Sequence, residues 1–248
     1  MKLTVVGCSG SFPSAESACS SYLVEADGFR LLLDMGNGAL GELQRHCGLY
    51  DLDAIFLSHL HADHCIDLVA YSYARRYHPD GFPPQLPVYG PEGTCARICG
   101  AFETPPVNGL LDVYDFHELP VGTTQIGPFE VTSAATNHPV ECHALRLTAA
   151  GRTLAYSADT GVSDALVELA RDADLFVCEA SWEHSEGHPP DVHLSGLQAG
   201  EHATRAGARR LLLTHLVAWS DPDVIRAEAK AAYNGELDVA QCGRTYEI

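Results

Sequence analysis

Apolar and β-branched positions gather in short runs along the first half of the chain, at 3–6, 22–25, 29–33, 54–57 and 86–89, each closed by Gly, Pro, Asp or Ser. Runs of this length and composition predict strands. Between them, apolar residues recur with helical spacing over 38–47, 66–77 and 93–101. Further strands are expected at 113–116, 129–133, 144–148 and 153–157. Beyond that point helix and strand alternate, with helices over 162–171, 197–206 and 222–233 and strands over 175–179, 210–214 and 237–241. Strands with interleaved helices in both halves imply an α/β layered architecture. The Pro-rich stretch 78–87 reads as a turn-bearing excursion, because ordered patterns resume at once, and no repeat or low-complexity tract divides the chain. At 248 residues and 46% apolar content, residues 1–248 are expected to form one domain.

The strand pattern at 54–57 runs directly into Ser58-His59-Leu60-His61-Ala62-Asp63-His64, three imidazoles and a carboxylate within six residues. Neutral imidazoles and carboxylates suit zinc and neighbouring divalent metals, and a loop leaving a strand can turn such ligands onto one open site. Three more metal-competent residues end strand patterns: His138 in Thr136-Asn137-His138-Pro139, Asp159 in Ser157-Ala158-Asp159-Thr160, and His215 in Leu213-Thr214-His215. Ser195 and Gln198 have capping-box spacing, so a helix is expected to start there with His193 just ahead of it, where free N–H groups favour a phosphate.

Charge narrows the partners. Lys and Arg number 15 against 33 Asp and Glu, a formal charge of −18, which repels extended polyanions but leaves room for a small anion at a site made positive by metal ions. The nine cysteines show no CxxC pair and no small-scaffold spacing, which points to reduced thiols in a cytoplasmic protein. The opening residues run straight into a strand pattern, and no apolar stretch approaches twenty residues, so neither export nor a membrane span is expected.

Taken in chain order, His59, His61, Asp63, His64, His138, Asp159 and His215 resemble the metallo-β-lactamase superfamily, over nearly the whole chain. The resemblance implies an αββα sandwich with two metal ions at one edge: His59, His61 and His138 on one, Asp63, His64 and His215 on the other, and Asp159 between them. Zinc is the default, with manganese or iron also accepted by such ligands. The segments Gly7-Cys8-Ser9-Gly10-Ser11, Leu33-Asp34-Met35-Gly36, Glu179-Ala180-Ser181 and His193-Leu194-Ser195 look like the phosphodiesterase branch, which includes the tRNA 3′-processing endonucleases. Within that branch Arg75-Arg76-Tyr77-His78-Pro79, Cys178-Glu179-Ala180-Ser181-Trp182 and His188-Pro189-Pro190-Asp191-Val192-His193 are similar to the actinobacterial cyclic-nucleotide phosphodiesterases described as atypical class II. That likeness points to 3′,5′-cyclic AMP as substrate, a nucleoside 5′-monophosphate as product, and a homodimer.

The chemistry fits on its own terms. Paired divalent ions can lower the pKa of a bridging water and clamp phosphate oxygens during in-line attack. Asp63 would bind metal and orient the nucleophile; Glu179 would hold His193 protonated, and His193 would protonate the departing oxygen. Ser9 and Ser11 sit in a Gly-rich turn that needs no phosphate to explain it, and His184 and His188 lie in a Pro-rich rim segment. Tyr71, Tyr73, Tyr77 and Trp182 are candidates to stack a purine, although residues at the helical spacing of Tyr73 and Tyr77 more often serve packing. A tRNA 3′-end endonuclease is the runner-up; the acidic charge and the short interval between His138 and Asp159, where an RNA-gripping arm would be inserted, count against it. A β-lactam or thioester hydrolase and a non-catalytic metal- or nucleotide-binding module rank lower.

Overall fold

The computed structural model describes residues 1–81, 83–102, 108–119 and 122–248; Phe82, within the 78–87 excursion, lies outside them. Two mixed sheets pack face to face. The first contains β1 (Lys2–Ser9), β2 (Ala18–Cys19), β3 (Ser21–Ala26), β4 (Phe29–Leu33), β5 (Ala54–Phe56), β6 (Leu86–Gly90), β7 (Tyr114–Glu118) and, returning from the C-terminal end, β15 (Thr245–Glu247). Its order is β15-β1-β3-β4-β5-β6-β7, with β2 beside β1. The second contains β8 (Gly122–Ile126), β9 (Phe129–Ala135), β10 (His143–Ala149), β11 (Arg152–Tyr156), β12 (Leu175–Glu179), β13 (Arg210–Thr214) and β14 (Glu236–Val239), in the order β14-β13-β12-β11-β10-β9-β8.

Three apolar layers explain why the strand sequences are apolar almost without interruption. Side chains alternate across a strand, so a strand covered on both faces needs apolar residues at every position. In β12, Leu175 and Val177 join the core between the sheets, while Phe176 and Cys178 join the layer beneath the helices. In β4, Leu31 and Leu33 face the other sheet and Leu32 faces outward. The outer layer on the first sheet is covered by α1 (Ala39–Leu43), α3 (Asp67–Arg76) and α4 (Thr94–Cys99). That on the second is covered by α5 (Asp164–Leu169), α6 (Gly196–Ala206) and α7 (Pro222–Ala232). Four layers result, the expected αββα sandwich.

Most predicted elements appear close to their predicted bounds, and the differences have local causes. The helix expected at 38–47 shrinks to α1, and that at 162–171 to α5, whose start is fixed by the Ser163 side chain accepting the Leu166 N–H. The loop reading of the His-rich motif misses a four-residue helix, α2 (Ala62–Cys65), which begins immediately after His61 and carries Asp63 and His64. Strand β8 is missed because four of its five residues are exposed, leaving no apolar pattern to detect. The capping box at Ser195 is present, with Ser195 and Gln198 exchanging both hydrogen bonds. All nine cysteines are free thiols.

The parallel strands aim their carboxyl ends at one edge. Strands β4, β5, β6 and β7 are mutually parallel, as are β11, β12, β13 and β14. In open α/β sheets ligands bind outside such carboxyl ends. Asp34, Ser58, Asp159, Glu179 and His215 all stand at or just beyond the ends of β4, β5, β11, β12 and β13.

Candidate metal centre

At that edge the backbone is bent into conformations that favour glycine. Ser11, Asp34, Ala158 and His215 have φ of 63°, 58°, 51° and 58°, and clustered strain of this kind marks functional sites. Two glycines admit the approach. A Cβ on Gly10 would lie 2.4 Å from the His215 carbonyl oxygen, and a Cβ on Gly36 would overlap the Asp63 carbonyl.

The structure gathers all seven residues singled out as ligands. One donor atom each from His59, His61, His138 and Asp159 falls within 4.8 Å of the others, and the same holds for Asp63, His64, Asp159 and His215. Asp159 belongs to both groups. Its Oδ1 lies 3.2 Å from His64 Nε2 and 3.4 Å from His215 Nε2, and its Oδ2 lies 3.6 Å from His59 Nε2.

The hydrogen bonds behind the imidazoles decide which nitrogen each presents. Asp34, fully buried, accepts the Ser58 N–H (2.7 Å), the Ser58 hydroxyl (2.8 Å), the Tyr156 hydroxyl (2.7 Å) and His64 Nδ1–H (2.8 Å). The Ser58 proton is thereby committed, so Ser58 Oγ accepts from His59 Nδ1 (3.1 Å). By the same logic the Ser181 hydroxyl donates to Glu179 Oε2 (2.7 Å) and accepts from His215 Nδ1 (2.9 Å). His138 Nδ1 donates to the Val192 carbonyl (2.9 Å). Four imidazoles therefore turn Nε2 inward.

Ring nitrogens brought this close to one another call for a shared cation, a proton or a metal ion. His59 Nε2 is 3.0 Å from His61 Nδ1, His138 Nε2 is 3.4 Å from the same atom, and His64 Nε2 is 3.2 Å from His215 Nε2. Asp159 Oδ1 is buried without a hydrogen-bond partner. Burial and the neighbouring His64 push His59 well below the usual imidazole range, and burial and His138 push His61 down, so both stand ready as unprotonated donors. Burial opposes protonation of His64 too, but Asp159 and Asp34 hold it well above its ordinary value; a bound cation would take that proton's place. The donor set and its orphaned oxygen fit divalent metal ions.

Asp63 stands at the mouth. Its Oδ2 accepts the Ser11 N–H (2.9 Å) and lies 3.3 Å from His215 Nε2. Burial would raise this carboxyl, but the His215 hydrogen bond and the charges of His64 and His215 hold it well below the usual carboxylate range. On the other side, Glu179 is 1% exposed and its carboxylate touches His193 Nδ1 at 3.2 and 3.1 Å. The Thr160 N–H also donates to it. Burial pulls His193 down, but the adjacent Glu179 carboxylate outweighs it, raising the imidazole to about 9. The N–H groups expected to receive a phosphate near His193 are used otherwise: those of Ser195 and Gln198 close the capping box, and that of Gly196 donates to the Trp182 carbonyl.

Residues 29–216 match the model of the beta-lactamase superfamily domain. The chain belongs to the metallo-β-lactamase superfamily. It is 42% identical to an uncharacterized protein of Mycobacterium tuberculosis, over all of this chain and 92% of that one. Identity to a probable metallo-hydrolase of Bacillus subtilis, YhfI, is 34% over the full length of both. The crystal structure of YhfI superposes with a TM-score of 0.89 at 32% identity, covering 99% of this chain and 98% of that one. The short form of human tRNase Z superposes at 0.81 with 22% identity, covering 100% and 99%, which shows the shared fold. This member of the superfamily is a metallo-hydrolase, and its His and Asp clusters imply divalent metal ions. Among the described residues, no helix is long and apolar enough to cross a membrane.

Three residues of the site escape sequence reasoning about ligands: Asp34, Ser58 and Ser181, which orient His64, His59 and His215. Asp34 carries the one available signal, a carboxylate ending a buried strand as Asp159 and Glu179 do. Of the candidate stacking residues, Tyr71 is core, fully buried with its hydroxyl donating to the Leu49 carbonyl, whereas Tyr73 and Tyr77 stack on each other on the outer face of α3 at 6.1 Å.

Proposed function

We propose that the protein is a dimetal phosphodiesterase that hydrolyses 3′,5′-cyclic nucleotides, cyclic AMP foremost, to nucleoside 5′-monophosphates, acting as one cytoplasmic hydrolase domain over residues 1–248. The observation that carries this reading is the Glu179–His193 pair at 3.1 Å beside the His and Asp clusters. Breaking a phosphodiester expels an alkoxide, which needs a proton, and a cationic imidazole next to the clusters supplies one.

In this reading His59, His61 and His138 hold one ion, Asp63, His64 and His215 the other, and Asp159 spans both. When bound, two divalent ions, zinc by default, supply an acidified water and a clamp on the phosphate oxygens. Asp63, fixed by the Ser11 N–H, orients the attacking water through its carboxylate. His193, with Nδ1 committed to Glu179, offers Nε2–H to the departing 3′ oxygen. Glu179 positions the imidazole and stabilises its charge.

Two observations favour a small substrate over tRNA. The net charge is −18, so counterion release from Lys and Arg contributes little to binding a polyanion. Between β10 and β11, where an RNA-gripping arm would be inserted, stands a tight hairpin that pairs Ala149 with Arg152. The alignment with ribonuclease Z of Haloferax volcanii, 26% identical, extends over 304 residues against the 248 here. The homodimer implied by the resemblance has an apolar face at hand in Tyr73 and Tyr77, 48% and 72% exposed. The test is hydrolysis of cyclic AMP by the metal-loaded protein, beside Asp63→Ala and a tRNA precursor with a 3′ trailer. Release of AMP by the native protein alone supports the reading; cleavage of the trailer with cyclic AMP intact overturns it.

A further inference from the structure

The proposed acid, His193, has an aromatic neighbour that the chemistry leaves unused. The indole of Trp182 meets the His193 ring edge to face, with centroids 5.1 Å apart and planes at 82°. One face of the same indole is covered by His188, stacked at 4.3 Å with an interplanar angle of 7°. Both line a cleft of about 300 Å³ together with His184, Pro190, His193 and Gln198.

The two stacked rings are held very differently. Trp182 follows directly on β12, pairs with Ser195 as an isolated bridge, and its carbonyl accepts the Gly196 N–H. It is part of the framework that carries Glu179 and α6. His188 sits in a fully exposed stretch, 183–191, and among the described residues no hydrogen bond holds its ring. Its own N–H donates only to Ser185, three residues back. Among the described residues, the stack on Trp182 is the ring contact of this imidazole.

We infer that Trp182 is the platform on which the heterocyclic base of the substrate stacks, and that His188 occupies the base's position in the ligand-free protein. This rests on the phosphodiesterase reading. An imidazole is the five-membered half of a purine, with the same planarity and thickness, so a position that accepts one ring face to face accepts the other. In a 3′,5′-cyclic nucleotide the base lies one sugar away from the oxygen that His193 would protonate, and Trp182 lies against that imidazole as His138 and His215 do, but outside the proposed ligand set. Base–aromatic stacking tolerates any base, so this platform confers affinity for nucleotides as a class. Across the mouth, beside Asp63 and His215, Phe12 and Trp219 form a second aromatic pair at 5.3 Å, but they are tilted 37° and already cover each other.

The chain has two tryptophans, so Trp219→Phe leaves Trp182 as the sole indole. In the zinc-loaded Trp219→Phe protein, AMP is expected to quench indole fluorescence and ribose 5-phosphate to leave it unchanged. Quenching that persists in Trp182→Phe and vanishes in Trp219→Phe places the base on the opposite wall and overturns the proposal. In steady state, Trp182→Ala should raise KM for cyclic AMP about tenfold with kcat within about threefold. Hydrolysis of a base-free cyclic ribose phosphate should be unchanged; equal loss on both substrates means that Trp182 only supports His193. His188→Ala should lower KM about threefold by removing the competing ring, and a rise would overturn its role as occupant. If the native protein leaves cyclic AMP intact, the phosphodiesterase reading fails, and the AMP titration still decides the platform.

Discussion

The two proposed ion cradles share Asp159 but differ in burial and in what stands behind them. In the cradle of Asp63, His64 and His215, both imidazoles are buried and each is backed by a buried hydrogen-bonding group, Asp34 for His64 and Ser181 for His215. In the cradle of His59, His61 and His138, only His59 is buried, and the hydrogen-bond-range contacts of the exposed His61 ring are to the neighbouring imidazoles. Groups behind a ligand fix its tautomer and direction. On the dimetal reading, the more buried first arrangement is expected to retain its ion longer than the second. The proposed acid attaches to the retaining side, since Glu179 holds His193 and, through Ser181, His215.

The largest effect should come from erasing the comparison altogether. Asp159→Ala removes the carboxylate common to both cradles; turnover should fall at least about 1,000-fold, and bound metal from about two ions per chain to below one by elemental analysis. A variant that retains two ions would show that the cradles are independent. Next, His193→Gln should lower kcat by about 10²–10⁴ with metal content intact. Because Glu179 raises His193 from 6.5 to about 9, the ring stays charged through neutral pH, and native activity should decline as pH rises through about 9. That limb should disappear from the pH profile of the variant. The same raised value means that the pair's stabilisation of the fold is complete below about pH 6.5 and lost as pH climbs through about 9, which thermal melts across that range would record.

Smaller changes sharpen the contrast. Asp34→Asn should weaken metal retention in the buried cradle by about 10- to 100-fold, visible as biphasic release to a chelator that becomes monophasic. Ser58→Ala, which frees His59 from its Nδ1 partner and removes one of the hydrogen bonds to Asp34, should shift chiefly the exposed cradle, by about tenfold or less in the same assay. A larger effect from Ser58 than from Asp34 would reverse the assignment of retaining and exchanging sides.

What the sequence makes legible follows from how each feature is encoded. The sandwich is readable because strands buried on both faces must be apolar throughout, as in Leu175-Phe176-Val177-Cys178. Strand β8, Gly122-Thr123-Thr124-Gln125-Ile126, is held by pairing with β9 and by Ile126 alone in the core, so its composition announces nothing. All seven proposed ligands are legible because the His-rich motif groups four of them and the rest end strand patterns. Asp34 as a holder of His64 is not, because its partners Ser58, His64 and Tyr156 meet it from separate segments. Ser181 is hidden for the same reason: in sequence it is a small residue after a strand, and only the fold brings it to His215.

The cradles draw on both sheets, and this bears on how the protein comes into being. His59, His61, Asp63 and His64 follow β5 of the first sheet, whereas His138, Asp159 and His215 follow β9, β11 and β13 of the second. A nascent chain carries its four-residue motif long before the ribosome releases residue 215, yet neither cradle is complete at that stage. On the dimetal reading, a complete cradle exists only once the two sheets have docked, so firm metal retention is expected to follow docking and not to precede it.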